Sequence, residues 1–300
     1  MDSVIQQLAL VSESATISAS DLMRVAAALQ KQASRDLAPV WNISATIDAF
    51  EKLEDVPLGY WPMVVRDDIG YDAAGIHLDN DRQPFALISA SSDIDNWSLT
   101  ASHETLEMLV DPYGDRLIAG NSPKKDQGRV SFLVEVADPS EAAEFAYTCN
   151  NVRVSDFYTP RYFDPVAASG VRYSFMGVIK EPRQVLKGGY LSWVDPVTSH
   201  WWQQTWFGGS KPAFRDLGKL DPKAGSLRSQ IDRLSTAESA RANATKHALV
   251  GSALVKQASA RSTASKARMW KSQIDQIVAA PKPRQRRSAT RRAGPAAADG

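Results

Sequence analysis

Residues 102–112 place one histidine and three carboxylates close together, in the order Ser-His-Glu-Thr-Leu-Glu-Met-Leu-Val-Asp-Pro. If this stretch is helical, His103, Glu107 and Asp111 stand at i, i+4 and i+8 and share one face. Imidazole and carboxylate groups are both ligands of divalent metal ions. Glu104 follows the histidine directly, where the general base stands in His-Glu-x-x-His metalloproteases. The spacing therefore predicts a metal site on a helix, with a carboxylate in place of the second histidine.

The same stretch has a plainer interpretation, in which it is a helix with a solvated charged face. The rest of the segment argues against this, because its other residues are largely apolar and are expected to be buried. Ionisable groups on a buried helix are costly unless they are neutralised, and a metal ion neutralises them. We therefore favour the metal site. The apolar residues are Leu99, Leu106, Met108, Leu109 and Val110.

A second carboxylate motif follows in residues 135–138. Glu135 lies between Val134 and Val136 in a predicted strand, and the period of two points it away from both valines. A strand with one wet face would explain this, and so would a third metal ligand supplied by a separate element. Asp138, three residues later, is a candidate for the same site.

Two further residues are candidates for supporting groups or alternative ligands. Asp111 abuts Pro112 at the predicted helix end, where it can orient the histidine or hold the following loop. His77 lies on a predicted strand and can line a cleft, although a structural histidine is the simpler interpretation.

The elements that must position these residues follow a regular order. A helix from Ser20 to about Ala33 is followed by four predicted strands and then by the helix that carries His103. This order indicates an α+β lobe with a small mixed sheet. The predicted strands are residues 40–50, 61–66, 75–78 and 84–89.

The string of residues 102–112, followed by Glu-Val-Ala-Asp at 135–138, resembles zincin-like predicted metalloproteases. It is similar in particular to exordium-type (phosphate-induced) proteins and to uncharacterised bacterial relatives. The resemblance covers about residues 20–200, and its specific part is the two short motifs. It implies a zincin-like fold in which residues 84–89 form the strand at the edge of the cleft.

The resemblance also implies roles for individual residues. His103 and Glu107 would bind the metal, Glu135 would be the third ligand, and Glu104 would be the general base. The sequence departs from true zincins at Glu107, where a second histidine is usual. Zinc is the expected ion, with manganese or calcium as alternatives because a carboxylate-rich site is harder. The expected activity is a peptidase on polypeptide substrates; the alternative is a non-catalytic, metal-stabilised structural or binding module.

Composition divides the chain. The net charge of +1 combines −12 in residues 1–210 with +13 in residues 211–300. We expect a flexible lead-in at 1–19, a metal-binding domain at 20–210, a basic helical extension at 211–280 and a disordered basic tail at 281–300. The region 211–300 either balances the acidic body or contacts nucleic acid or another polyanion without sequence preference.

The sequence also predicts a compartment. No apolar run is long enough to span a membrane, and the N-terminal residues lack the features of a signal peptide. The single cysteine, Cys149, excludes an internal disulfide and fits a reducing compartment. We therefore expect a cytoplasmic protein with no membrane contact. There is no glycine-rich phosphate loop and no cysteine pair at metal-binding spacing.

Overall fold

The computed structural model describes residues 5–71, 73–80, 82–207, 209–221 and 223–235. The fold is α+β, as the sequence predicts. In chain order the elements are β1 (Gln6–Ser12), α1 (Ala19–Lys31), α2 (Ala38–Trp41), β2 (Ala45–Phe50), β3 (Tyr60–Arg66), β4 (Gly75–Asn80), β5 (Gln83–Ser89), α3 (Ile94–Val110), β6 (Leu117–Asn121), β7 (Arg129–Leu133), β8 (Tyr147–Cys149), β9 (Val152–Val154), β10 (Tyr190–Val194), β11 (Trp201–Thr205), β12 (Ala213–Gly218) and α4 (Leu227–Ser235).

The first sheet contains five strands in the order β2-β1-β3-β5-β4. Strand β1 runs parallel to both β2 and β3, and β3 runs parallel to β5. Strand β4 is antiparallel to β5 and forms one edge of the sheet. The predicted edge strand, residues 84–89, corresponds to β5 and lies one position inside the edge. That prediction was wrong because the hairpin places the earlier strand, β4, outside the later one.

The second sheet is antiparallel throughout, in the order β12-β11-β10-β7-β6. Strands β8 and β9 form a separate hairpin that packs beside α1 and α3. The main hydrophobic core lies between the inner face of the first sheet, helices α1 and α3, and the strands β7, β9 and β10. Helix α3 therefore crosses the centre of the molecule, where both sheets contribute to its surroundings.

The flexible lead-in predicted for residues 1–19 instead contains β1, which is an inner strand of the first sheet, between β2 and β3. Its residues Leu8 to Val11 are fully buried, as expected for a strand that has parallel neighbours on both sides. The strand predicted for residues 40–50 is also shorter than expected. Val40 and Trp41 belong to α2, and only Ala45–Phe50 forms a strand.

The domain boundary predicted at residue 210 also differs from the structure. Strand β12 pairs with β11, and Ile231 of α4 packs against Leu133, Trp201 and Leu217. Residues up to 235 therefore belong to the folded body. Residues 236–300, which include most of the extension predicted at 211–280 and all of the tail predicted at 281–300, lie outside the described residues. The nucleic-acid contact predicted for 211–300 stays a prediction.

Among the described helices, none combines the length and the apolar character that crossing a bilayer requires.

Gly75, at the start of β4, permits a close approach between this strand and α3. A methyl group there would lie 2.4 Å from Thr100 Cγ2 and 2.8 Å from Glu104 Oε1. We expect Gly75→Ala to lower the free energy of unfolding by about 1–3 kcal/mol, since overpacking forces its neighbours to move. Chemical denaturation measures this effect.

Thr100→Ser removes the methyl group that causes the shorter of these two contacts. In the Gly75→Ala background it should restore most of the lost stability. Unchanged stability of Gly75→Ala would show that β4 and α3 are not in this close contact, and no rescue by Thr100→Ser would assign the lost stability to the contact with Glu104.

Candidate metal centre

Helix α3 carries His103, Glu104 and Glu107 into the centre of the molecule. The helix begins after Asp93, whose side chain accepts a hydrogen bond from Asp95 N and caps the helix. Although Glu104 and Glu107 are charged residues, they are only 3% and 0% exposed. Helix α3 is therefore buried on its polar side as well as on its apolar side, which is unusual for a surface helix.

Asp138 reaches the same region from a short 3₁₀ turn, residues Asp138–Ser140. The predicted strand ends at Leu133, and Glu135 lies in the irregular segment after it. Backbone hydrogen bonds hold this segment, from Val134 N to Arg116 O and from Tyr158 N to Val136 O. After this break in the strand, the turn places Asp138 beside His103 of α3.

His103 Nε2 lies 3.2 Å from Glu107 Oε1 and 3.2 Å from Asp138 Oδ1. Neither contact has hydrogen-bond geometry, and neither oxygen has another hydrogen-bond donor among the described residues. Two carboxylate oxygens without a hydrogen-bond partner in that part of the chain therefore lie beside one imidazole nitrogen. Buried polar atoms without partners are rare in folded proteins, and a cation bound beside His103 Nε2 would satisfy both oxygens. Glu141 offers a carboxylate oxygen within 4.8 Å of the His103 and Asp138 ligand atoms.

His77, Glu107 and Glu135 form a second, deeper group, with ligand atoms within 4.8 Å of one another. His77 extends from the edge strand β4 and is only 1% exposed. Its Nδ1 atom lies 3.5 Å from Glu104 Oε2 and 3.5 Å from Glu107 Oε2. No hydrogen bond to either ring nitrogen is found in the described part of the chain.

Arg228, from α4, brings a permanent positive charge to these carboxylates. Its Nη1 atom lies 2.5 Å from Glu135 Oε2, 3.3 Å from Glu107 Oε2 and 3.2 Å from Asp138 Oδ2. Its Nη2 atom donates to the Tyr190 hydroxyl at 3.0 Å. The guanidinium group is therefore fixed from several sides.

Burial and neighbouring charges shift the pKa values of several groups in the site in opposite directions. Burial raises the pKa of Asp138 to about 7 and that of Glu141 to about 8, with neighbouring carboxylates adding to the effect. Burial opposes protonation of His77, but the Glu104 and Glu107 carboxylates outweigh it and raise its pKa to about 9. Burial also opposes ionisation of Glu107, yet His103 and Arg228 hold its pKa well below the usual value.

A cleft of about 900 Å³ opens onto this region. His103, Glu104 and Glu141 line it together with the start of β4, Tyr190 and Arg228. Glu107 and Asp138 are almost fully buried and do not line the cleft. The His103 group is therefore the one that a molecule in the cleft can reach, while the His77 group lies behind it.

The structure brings most of the predicted site residues together, but Asp138 lies where Glu135 was expected. Asp138, rather than Glu135, lies beside His103, and Glu135 lies with His77. Asp111 stands at the end of α3 and holds the following loop, because its carboxylate accepts hydrogen bonds from Asp115 N and Arg116 N at 3.1 and 2.9 Å.

Sequence reasoning missed Glu141, Tyr190 and Arg228. Glu141 had a detectable signal, since Glu135, Asp138 and Glu141 recur at intervals of three residues. Arg228 had none, because it lies in a basic stretch 90 residues beyond Asp138.

In comparisons with known proteins, no family model, curated protein or solved structure matches this chain.

Proposed function

We propose that this chain is a metal-dependent hydrolase, a zincin-like metallopeptidase, in which His103, Glu107 and Asp138 hold one divalent ion. The convergence of these three ligand atoms carries the proposal. Ligands about 2.0–2.2 Å from a tetrahedral zinc ion lie about 3.4 Å apart, and His103 Nε2 lies 3.2 Å from each carboxylate oxygen. Calcium takes more ligands at longer distances. The spacing therefore favours Zn²⁺ over Ca²⁺, with Mn²⁺ as the nearer alternative.

Glu104 is the general base in this proposal. A bound divalent ion would supply Lewis acidity toward a substrate carbonyl and toward water. Glu104 lines the cleft next to His103, where it would accept the proton of the attacking water and return it to the leaving amine. His77 Nδ1, 3.5 Å from Glu104 Oε2, can steady that carboxylate when the imidazole is protonated.

The edge strand β4 supports a polypeptide as substrate. Its inner side pairs with β5, no other described strand pairs with its outer side, and its first residues, Gly75 and Ile76, line the cleft. An extended peptide can bind there as an added strand, held by backbone hydrogen bonds. Phe207, an exposed aromatic residue on the cleft wall next to Tyr190, offers an apolar contact for a substrate side chain.

A non-catalytic, metal-stabilised module is the second candidate. The burial of Glu107 and Asp138 favours it, because structural metal sites are closed whereas catalytic sites keep an open position. The two candidates share the metal ion and differ in what Glu104 does.

Zinc content and cleavage of a disordered polypeptide such as casein separate them. We expect one zinc ion per wild-type chain, and at least a hundredfold weaker zinc binding in His103→Ala. Glu104→Gln should keep its zinc and lose about 10²–10⁴-fold in cleavage rate. His200→Ala is the matched control, because His200 is paired with Asp216 outside the cleft; it should change neither quantity.

Each result has a distinct meaning. Cleavage by Glu104→Gln at the wild-type rate would remove Glu104 from the mechanism. Zinc binding without any cleavage, together with a lower Tm after chelation, would favour the non-catalytic module. Absence of zinc, manganese and calcium from protein purified without chelator would contradict both candidates.

A further inference from the structure

Glu107 and Asp138 each have one carboxylate oxygen near His103 and the other near Arg228. One oxygen of each carboxylate, Glu107 Oε1 or Asp138 Oδ1, lies 3.2 Å from His103 Nε2. The other, Glu107 Oε2 or Asp138 Oδ2, lies 3.3 or 3.2 Å from Arg228 Nη1. The two carboxylates therefore bridge two cation positions. Carboxylates that bridge in this way hold paired metal ions about 3.5–4 Å apart in two-metal sites.

Of these two cation positions, the one that Arg228 occupies is the deeper position. Arg228 occupies it with a single nitrogen, Nη1. An arginine usually forks onto one carboxylate with two parallel hydrogen bonds. Here Nη1 alone lies within 2.5–3.3 Å of oxygens from Glu107, Glu135 and Asp138. Several carboxylate oxygens converging on one point are the coordination expected of a metal ion.

His77 supplies an independent observation at the same place. Its ring is almost completely buried, and among the described residues neither nitrogen makes a hydrogen bond. Its ligand atom lies within 4.8 Å of ligand atoms of Glu107 and Glu135. Glu135 in turn has no hydrogen bond of good geometry to either oxygen in the described part of the chain. The deeper position thus has a nitrogen ligand and two carboxylates, which are suitable ligands for a divalent ion.

Helix α4 holds the arginine in this position. Arg228 N donates to Gly114 O at 3.1 Å, and Arg228 Nε pairs with Asp232 at 2.9 Å. Ile231, one turn later, is buried in a small core with Leu133 and Leu217. These contacts of α4 therefore fix the position of the guanidinium group, which is buried and not on the surface.

We propose that His77, Glu107 and Glu135 form a second divalent-cation site, which Arg228 closes by occupying its position. This inference rests on the proposed function for the neighbouring ion at His103. The wild-type protein then holds one metal ion, and the arginine takes the place of a second. Arg228 is a positioning residue that fixes the number of ions and neutralises the outer oxygens of the two bridging carboxylates.

Metal stoichiometry of the full chain tests the proposal. Metal-depleted protein is equilibrated with excess ZnCl₂, desalted, and analysed for zinc per chain. We expect one zinc in the wild type, two in Arg228→Ala, and one in Arg228→Lys, which keeps the charge. Adding His77→Ala to Arg228→Ala should return the content to one. A content of one in Arg228→Ala, with the wild type also at one, would overturn the second site and leave the proposed function intact.

A second variant keeps the test decisive if Arg228→Ala does not fold. In the otherwise wild-type chain, His77→Ala should leave the zinc content at one and its affinity within about threefold. Loss of an ion from that variant would show that the deeper position is occupied beside Arg228, which contradicts closure. No zinc in the wild type, with one His77-dependent zinc in Arg228→Ala, would instead reject the proposed function and retain the second site.

Discussion

Gly189→Ala is expected to destabilise the protein by about 3 kcal/mol and to weaken zinc binding at His103 by at least tenfold. A methyl group at Gly189 would lie 2.6 Å from the carbonyl oxygens of both Asp138 and Pro139. These are backbone atoms, which cannot rotate out of the way as a side chain can. The turn that carries Asp138 must therefore move, and with it the carboxylate that faces His103. Chemical denaturation and competitive zinc titration measure the two effects.

Gly128→Ala is the control for this substitution. A methyl group at Gly128 has no other atom within 4 Å, so this variant should have wild-type zinc affinity and equal or slightly higher stability. Wild-type behaviour of Gly189→Ala would mean that the segment around Asp138 does not pass as close to β10 as the structure shows. A loss of stability without any loss of zinc affinity would place Asp138 outside the metal site.

Gln32→Ala is expected to lower the free energy of unfolding by about 3 kcal/mol, because it leaves buried polar groups without partners. Gln32 is 1% exposed and joins three elements. Its Nε2 atom donates to Ser155 O at 2.9 Å and to the Tyr147 hydroxyl at 3.1 Å, and its Oε1 atom accepts from Ser102 Oγ at 2.7 Å. Ser102 directly precedes His103, so this network fixes the rotation of α3 behind the site.

A double-mutant cycle with Ser102→Ala checks the network. Ser102 Oγ also accepts from Ser155 N at 2.8 Å, so both variants disrupt the same set of bonds. The effect of the double variant on the free energy of unfolding should differ from the sum of the two single effects by about 1 kcal/mol or more. Gln7→Ala, at an exposed position on β1, should be close to neutral. Additive effects of Gln32→Ala and Ser102→Ala would show that the two side chains act independently.

Local pattern was sufficient to predict α3 and the strands β3 to β5, because their apolar residues recur at clear intervals between turn residues. It was insufficient for β1, whose apolar run of four residues lies among small and polar neighbours. Spatial order was also out of reach, since sequence order does not reveal that β4 lies outside β5. These are properties of tertiary packing, which no short window of sequence contains.

The candidate site, like the fold, could be predicted from the sequence only where local pattern determines it. The spacing of His103, Glu104 and Glu107 depends only on helical geometry, and α3 brings all three to one region. The choice between Glu135 and Asp138 depended on where a strand ends. A period of two continued to residue 136 predicts Glu135; the strand stops at Leu133, and the following turn places Asp138 beside His103, while Glu135 lies near Glu107. Arg228 reaches the site only through the packing of α4.

The attachment of Arg228 to the carboxylates also sets an order of events during synthesis. Arg228 is made 90 residues after Asp138, an interval of roughly 5–18 s at ~5–20 residues per second. Throughout that interval the nascent chain already contains every proposed metal ligand but not the arginine. Free cations can therefore reach the carboxylates before the chain supplies its own. If the proposed sites bind metal ions, the number that they retain would be set late in translation, when α4 emerges and docks.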